Sequence, residues 1–267
     1  MSFEIINKNG VVYMTAPNIE TTHAFTTRLG GVSSGIYESL NLAQHSGDDI
    51  ADVKENYSLL CGALGISTDD IVCSTQIHGT HIRRVSTEDR GRLFMPPSHP
   101  LFTPFQADGL ITDTPGVALM VFTADCVPIL LYDPQKKVAG AVHAGWRGTV
   151  ADIAGVAVRK MTDEFACSPD SINAAIGPCI SKCCFETDID VADAVTSALG
   201  EDASGCITQR DNKYMIDLKE INRIFLTKTG VTNITISDEC TSCLDNKYWS
   251  HRKTQGHRGS QAAIIVI

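Results

Sequence analysis

The sequence predicts an α/β fold: one compact domain, residues 1–267, in which layered mixed β-sheets are flanked by helices. Short runs rich in Val and Ile, bounded by Gly, Pro or Asp, recur along the chain and are typical of strands. The helical stretches among them alternate too irregularly for a Rossmann or TIM-barrel chain. With 267 residues, 43% of them hydrophobic, the chain can bury one substantial core, and two small domains are the alternative.

Five apolar runs predict strands. They are VVYMTA (11–16), IVCSTQI (71–77), VALMVF (117–122), VPILLY (127–132) and VAGAVH (138–143). The last three follow one another closely, so Cys126 lies at a connection between strands and His143 lies at a strand end. The sequence alone does not fix the pairing, and the two residues meet only if these ends lie at the same edge.

The stretch 46–65 predicts the first helix. Its apolar face consists of Ile50, Val53, Tyr57 and Leu60, and Ser46 and Asp49 have the spacing of a capping box.

Two further helices and one long loop are predicted downstream. Residues 149–165 begin with Thr149 and Asp152 at the same capping spacing, and residues 217–230 end at Gly230, a typical C-terminal glycine. The Pro-rich stretch 95–105, MPPSHPLFTPF, predicts a long and fairly rigid loop.

Composition excludes several functions. A net charge of −9 and a pI near 5.3 argue against binding to nucleic acid or an anionic membrane, which requires a basic face. Apolar runs are far shorter than the roughly 18 residues of a membrane span. The N-terminal stretch lacks the pattern of a signal peptide, so we expect a cytoplasmic protein. In that compartment its cysteines are expected to be buried thiols, ligands or nucleophiles and not a disulfide framework. Nothing in the sequence indicates the oligomeric state.

The segment VAGAVHAGWRGT (138–149) places a histidine at a strand end, followed by glycines on both sides of bulky residues. Glycine permits tight turns and close backbone approach. Together with Arg147 and a helix start at Thr149, the segment predicts an anion or metal-bound group beside His143. The alternative is a buried His143 with Trp146 packed in the core.

Three separated residues together suit a metal. Cys126 follows Asp125 between two apolar runs, and His78 precedes a glycine at the end of another. Two imidazoles and a thiolate suit tetrahedral zinc, and three protein ligands leave a fourth position for water or substrate. The alternative is that these residues form no metal site and that Cys126 is a buried, inert thiol.

Other groups compete for a metal or a pocket. Five cysteines of IGPCISKCCFE and DECTSCLD are candidates for a four-cysteine structural zinc site, or are plain core and loop thiols: Cys179, Cys183, Cys184, Cys240 and Cys243. Near the C-terminus, a basic group either lines a pocket or forms a solvated loop: His251, Arg252, His257 and Arg258.

Several long segments together resemble the bacterial laccase-domain proteins, labelled multicopper polyphenol oxidoreductases, purine nucleoside phosphorylases or peptidoglycan editing factors. These segments are TTRLGGVSSGIYESLNLAQHSGDD, QIHG, ADGLIT, TADCVPILLYD, AVHAGWRGT and AIGPCISKCCFE. The resemblance implies a compact α/β domain with layered mixed sheets and a zinc site of His78, Cys126 and His143. It also implies phosphorolysis of adenosine, inosine or methylthioadenosine, and deamination of adenosine, in one pocket. In SHRKTQGHRG, His251 stands where relatives commonly have Tyr.

The leading hypothesis is therefore a zinc-dependent enzyme acting on purine nucleosides and phosphate. Asp125 and Asp108 are candidates for proton transfer. Besides the helix start at Thr149, the phosphate candidates are Arg147 and Arg28, the latter beside a pair of glycines. Asn41 and Gln76 are candidates for contacts with ribose hydroxyls or base edges.

Three alternatives remain. A copper-dependent polyphenol oxidase is one, although eight histidines without a His-x-His pair supply few ligands for several coppers. A cysteine hydrolase that edits peptidoglycan precursors is another, with Cys126 as nucleophile, His143 as its base and Asp125 orienting the histidine. A purely structural zinc site in a non-enzymatic protein is the third.

Overall fold

The computed structural model describes residues 2–95, 98–99 and 105–267. Most of the Pro-rich stretch predicted as a loop lies outside them. The helices are α1 (Ile50–Leu64), α2 (Trp146–Val150), α3 (Ile153–Phe165), α4 (Ile189–Leu199), α5 (Leu218–Lys228) and α6 (His251–Thr254). None of the helices in this described part is long and apolar enough to span a bilayer.

The strands form two six-stranded sheets and one three-stranded sheet. They are β1 (Glu4–Lys8), β2 (Val11–Thr15), β3 (His23–Thr26), β4 (Ile71–Val72), β5 (Ile82–Arg84), β6 (Gly109–Thr112), β7 (Ala118–Thr123), β8 (Val127–Asp133), β9 (Val138–Ala144), β10 (Asn173–Ile176), β11 (Glu186–Thr187), β12 (Ile207–Arg210), β13 (Lys213–Ile216), β14 (Asn233–Ile236) and β15 (Gln261–Val266). The sheet orders are β1-β2-β3-β15-β7-β4, β14-β10-β8-β9-β6-β5 and β11-β13-β12.

Both large sheets are mixed. In the first, β4 is parallel to β7 while the other neighbours are antiparallel. In the second, β10–β14 and β5–β6 are the parallel pairs. This arrangement confirms the predicted α/β class with layered mixed sheets.

Three apolar cores define the layers. One core joins the facing sides of the two large sheets, a second packs α3, α4 and α5 on the outer side of the second sheet, and a third packs α1 on the first sheet. Strand β8 contributes to two of these cores. Leu130 belongs to the core between the sheets, whereas Ile129 and Leu131 belong to the helical core. Successive residues of a strand point to opposite faces, so a strand covered on both sides is a continuous apolar run.

The first predicted helix forms, with a different cap. Asp49 is the N-cap and its side chain accepts from the Ala51 N–H, whereas Ser46 donates to the Ala43 carbonyl. The predicted capping box is therefore wrong. Ile50 of the predicted apolar face is 48% exposed, because it stands at the very start of the helix.

The second predicted helix is two helices. The first, α2, begins at Trp146, and α3 begins at Ile153 with Asp152 as a left-handed N-cap that accepts from the Gly155 N–H. Thr149 is buried inside α2 and marks no helix start, which removes it as a predicted phosphate contact. The third predicted helix, α5, forms as expected, and the Asp217 side chain caps it by accepting from the Glu220 N–H.

The predicted strand 71–77 is also shorter than expected. It pairs with β7 only over Ile71–Val72, and the chain then turns away toward His78.

Candidate active site

The predicted trio meets at one end of the second sheet. Strands β8 and β9 are antiparallel, and Val127 lies opposite Ala144. This register brings Cys126, just before β8, beside the end of β9 that carries His143. His78 approaches from the turn that follows β4. The ligand atoms of the three side chains all lie within 4.8 Å of one another, and Cys126 Sγ is 3.9 Å from His78 Nε2.

Asp108 holds both histidines in place. Its carboxylate accepts from the His143 Nδ1–H at 2.9 Å, the His78 N–H at 2.9 Å and the Gly79 N–H at 2.8 Å. Its own carbonyl accepts from the His143 N–H. A histidine that donates one ring nitrogen to a carboxylate presents the other nitrogen to a metal. Asp108 is 0% exposed and positions the ring of His143 and the backbone of the His78 turn. Its predicted substrate contact or proton transfer stays a prediction that these contacts do not support.

Two glycines allow the segment after β9 to pack against the His78 turn. A Cβ on Gly145 would lie 2.7 Å from His78 Cδ2, and one on Gly148 would lie 2.8 Å from the Gly79 carbonyl oxygen. Both distances are shorter than real Cβ contacts allow. These glycines therefore permit close approach to the His78 turn, whereas the sequence predicted close approach to an anion or a metal-bound group.

The charges at the site favour a thiolate. Burial alone would raise the pKa of the Cys126 thiol, but the imidazoles of His143 and His78 outweigh it and bring this pKa to about 6. Burial would likewise lower the pKa of His143, and the Cys126 thiolate and the Asp108 carboxylate raise it to about 9. Without a metal, the pair is a thiolate beside an imidazolium.

The donor set fits a metal ion. Within the described ranges, the group consists of three members, two imidazoles and one thiol. Zinc accepts this set in tetrahedral geometry and retains one position for another ligand. Structural zinc sites have four protein ligands, whereas this group offers three.

The Asp125 carboxylate is bonded to residues outside the trio. Its Oδ1 accepts from the Thr241 hydroxyl at 2.7 Å and its Oδ2 accepts from the Arg252 N–H at 2.7 Å. Its backbone is left-handed, with φ of 94°, which is uncommon for a residue with a side chain. These contacts favour a role in holding the Cys126 turn, and proton transfer by Asp125 stays a prediction.

Three of the predicted substrate contacts are engaged elsewhere. Arg28 donates to the Glu38 and Asp245 carbonyls and stacks on Trp249 at 3.9 Å. Gln76 pairs through both amide atoms with the main chain of Phe122.

Asn41 is 0% exposed. It donates to Ser46 and Asp48 and accepts from the N–H groups of Ala43 and Ser260. The proposed substrate contacts of Asn41, Arg28 and Gln76 stay predictions that these hydrogen bonds do not support.

Arg147 is the predicted arginine that remains available. It lies in the first turn of α2, two residues after Gly145, and is exposed. Its guanidinium lies 4.3 Å from the ring centroid of Trp146. Arg147 forms no ion pair with any residue in the described part of the chain.

A cavity of about 580 Å³ is lined by residues other than the trio, and Arg258 is the lining residue on which the charge of Cys126 acts. Its apolar wall includes Leu93, Phe105 and Phe122, and Arg258 lines it as well. Burial lowers the pKa of the Arg258 guanidinium, while the nearby Asp125 and Cys126 oppose this shift. Arg258 therefore connects the cavity to the cysteine of the trio.

Sequence reasoning left the C-terminal basic group undecided between a pocket and a solvated loop. The structure divides it: Arg258 lines the cavity, Arg252 holds Asp125, and His251 and His257 are exposed.

Comparison with known proteins agrees with this architecture. Residues 22–267 match the family described as multi-copper polyphenol oxidoreductase laccase. The chain belongs to this family. A purine nucleoside phosphorylase from Deinococcus radiodurans is 38% identical over 259 residues, which cover 97% of this chain and 94% of that protein.

Two crystal structures of family relatives have the same fold. The hypothetical protein YfiH of Bacillus licheniformis superposes with a TM-score of 0.91 at 31% identity, covering 99% of this chain and 98% of that one. YlmD of Geobacillus stearothermophilus superposes with a TM-score of 0.90 at 36% identity, with the same coverage.

Proposed function

We propose that this protein is a zinc-dependent purine nucleoside enzyme that performs phosphorolysis of adenosine, inosine and methylthioadenosine and deamination of adenosine. The observation that carries the proposal is the convergence of His78, Cys126 and His143, together with Arg258, which lines a cavity and is close enough to Cys126 to respond to its charge. Relatives that cover nearly the whole chain and are named purine nucleoside phosphorylases support it.

The trio would hold the metal, and each ligand is prepared by its neighbours. Asp108 keeps the Nδ1 proton of His143, so Nε2 is the ligand atom. The same carboxylate fixes the backbone of the His78 turn, and the two imidazoles favour the thiolate of Cys126. When bound, zinc supplies a Lewis acid with an open coordination position.

The cavity has the size and lining for a nucleoside. Ligand pockets typically measure about 300–1,000 Å³ and combine apolar walls with a few polar groups, and this cavity is about 580 Å³. Phe105, Phe122 and Leu93 offer an apolar surface for a purine ring. Among the described residues the buried Nε of Arg258 has no hydrogen-bond partner, so this guanidinium retains an unused donor close to Cys126.

Phosphorolysis also requires an anion site, and Arg147 is the candidate. It stands two residues after Gly145, whose backbone lies against both His78 and Cys126. A guanidinium that is free of carboxylates can bind phosphate through two parallel hydrogen bonds.

The first experiment measures products. Zinc-loaded protein is incubated with adenosine, inosine or methylthioadenosine, with and without phosphate, and the released bases and inosine are separated. We expect base release that requires phosphate, and inosine formation from adenosine that does not. The absence of turnover by zinc-loaded protein would refute the proposal.

Matched histidine variants assign the activity to the trio. His78→Ala removes one ligand, so both reactions and bound zinc should be lost. His81→Ala is the control, since His81 lies three residues away and is exposed. Its side chain bonds the Gln106 carbonyl, and the backbone bonds of His81 to Asp108 and Gly109 are retained in the variant. Equal activity in the two variants would contradict the assignment.

Arginine variants test the phosphate site. Arg147→Ala should raise KM for phosphate about tenfold or more while leaving adenosine deamination unchanged, because deamination uses no phosphate. Arg159→Ala, which removes an exposed arginine of α3 paired with Asp152, should change neither. A KM for phosphate that Arg147→Ala leaves unaltered would remove Arg147 from the site.

One geometric observation favours a second candidate, the cysteine hydrolase. Cys126, His143 and Asp108 are arranged as nucleophile, base and orienting carboxylate, so Asp108 takes the orienting role that we expected for Asp125. Alkylation of Cys126 separates the candidates. Zinc protects a ligand thiolate, whereas equal labelling with and without zinc would favour the nucleophile.

Metal analysis tests the copper alternative. In the part of the chain that the structure describes, the trio is the group of potential ligands that contains histidine, and several coppers require more. We therefore expect zinc in protein purified without added metal.

A further inference from the structure

Four cysteine sulfurs converge at a second place in the molecule. The Sγ atoms of Cys183, Cys184, Cys240 and Cys243 all lie within 4.8 Å of one another. Among the predicted candidates, Cys179 stays outside this group and its buried thiol donates to the Ile180 carbonyl. None of the four belongs to the trio, and the proposed enzyme reactions use none of them.

The spacing of the sulfurs matches one tetrahedral ion. Zinc–sulfur bonds of about 2.3 Å place the corners of a tetrahedron about 3.8 Å apart. The observed Sγ–Sγ distances are 3.8 Å for Cys183–Cys184, 3.6 Å for Cys183–Cys243 and 3.3 Å for Cys184–Cys243. An iron–sulfur cluster would hold its thiolates farther apart, since several iron atoms lie between them.

The backbone holds the two cysteine-bearing segments against each other. Cys179 and Cys240 form an isolated parallel bridge, and the Thr241 N–H donates to the Cys179 carbonyl at 3.0 Å. The Ser181 N–H donates to Cys240 Sγ at 3.3 Å, a contact that favours a thiolate. The four sulfurs are therefore brought together by the fold and do not meet through flexible side chains alone.

We propose that these four cysteines form a second metal site, a closed zinc tetrathiolate with a structural role. Four protein ligands leave no position for substrate, which is typical of structural zinc. Two of the cysteines are exposed, so the site lies at the surface, where metal can enter.

The site joins the segments that hold the Cys126 turn. Thr241, which follows Cys240, donates to the Asp125 carboxylate, and the Ile180 N–H donates to the Asp125 carbonyl. Arg252 donates to Asp125 through its N–H and to the Cys184 carbonyl through its guanidinium. Metal at the four cysteines thus fixes the supports of Asp125 and, through Asp125, the position of Cys126.

The first test counts metal. Protein purified under reducing conditions should contain two zinc ions per chain, and Cys183→Ser/Cys243→Ser, which changes the two exposed cysteines, should contain one. Cys126→Ala should also contain one, because it removes a ligand of the trio. The control Cys61→Ala removes a buried thiol of α1 outside both groups and should retain two.

The second test does not depend on the folding of that double variant. Cobalt(II) is added to metal-free Cys126→Ala, in which the four-cysteine group is the intact cluster of potential ligands among the described residues. We expect the intense charge-transfer absorption of a tetrathiolate, and protection of these four cysteines from alkylation. A spectrum without thiolate bands would overturn the proposal. A disulfide between Cys243 and Cys183 or Cys184, formed even when the protein is purified with reductant and zinc, would also overturn it.

Discussion

Asp108 connects two distant parts of the candidate active site. It is fully buried, and its carboxylate accepts from the ring of His143 and from three consecutive N–H groups, those of Ile77, His78 and Gly79. A buried carboxylate with four donors stays charged, because each hydrogen bond favours the ionised form. Consistent with this, its pKa is lowered: the hydrogen bonds and charge of His143 and the N–H groups overcome burial.

Replacing Asp108 by Asn tests this connection. The amide retains the shape of the side chain but directs an NH₂ group at groups that are themselves donors. We expect zinc affinity at the trio to fall about 10–100-fold and the free energy of unfolding to fall by about 1–3 kcal/mol. Competition with a chromogenic chelator and denaturant titration measure the two effects.

Asp133→Asn is the matched control. Asp133 is also fully buried, and it accepts from the Gln135 and Lys136 N–H groups and the Ser171 hydroxyl, but it lies outside both metal groups. This variant should lose stability without losing zinc affinity. An equal loss of affinity in both variants would show a general effect of destabilisation.

The thiolate character of Cys126 gives a pH dependence. In metal-free protein its pKa is lowered to about 6 by His143 and His78 against the effect of burial, so the thiolate is present above this pH and is lost below it. The rate of Cys126 alkylation should rise through pH 6 and level off near neutrality. Peptide mapping of the labelled protein measures it. In His143→Ala the midpoint should move upward, and an unchanged midpoint would show that His143 does not stabilise the thiolate.

Among the secondary-structure elements, the β8–β9 hairpin and α2 bring the site together. Apolar runs predicted both strands from sequence. Their antiparallel register, which places Cys126 beside the end of β9, was not predictable, since pairing depends on contacts between distant segments. The start of α2 was missed for a local reason: Gly145 caps it without a side-chain hydrogen bond, so the usual capping signal is absent.

Gly145→Ala tests the approach of this element to the His78 turn. The added Cβ would meet His78 Cδ2 at 2.7 Å, so either the ring or the start of α2 must move. Displacement of a ligand by a few tenths of an ångström or more should reduce activity on the order of 100-fold and weaken zinc binding. Activity assays and chelator competition measure both.

The matched control is Gly62→Ala in α1, where an added Cβ meets nothing within 4 Å. That variant should keep full activity and gain up to about 1 kcal/mol in the free energy of unfolding. Full activity and unchanged zinc affinity in Gly145→Ala would show that the two segments do not need their close approach.

For the whole molecule, composition and apolar patterning predicted the fold class, because buried strands and amphipathic helices carry strong local signals. Patterning could not predict that the two large sheets share a core while helices cover their outer sides. The same limit applies to the site. The trio was chosen by ligand chemistry and family resemblance, whereas Asp108 received its role only once the fold showed its four donors.

The shared core predicts that the chain unfolds as one unit. Each large sheet contributes residues to the core between them, so neither sheet can separate without exposing it. The two tryptophans report on different parts of the molecule. Trp146 packs against the helical core, whereas Trp249 is buried and its backbone N–H donates to the side chain of Gln261 in β15 of the first sheet. In metal-free protein, Trp146→Phe and Trp249→Phe should give fluorescence transitions with the same denaturant midpoint as circular dichroism.

Leu130→Ala extends this prediction to the core itself. Leu130 of β8 is fully buried between the sheets, and its truncation should reduce the free energy of unfolding by about 2–5 kcal/mol. Because one core serves both halves, the Trp146 and Trp249 transitions should move together by the same amount. A shift of one transition alone, or two separated midpoints in the parent protein, would show that residues 1–267 contain two independently folding domains.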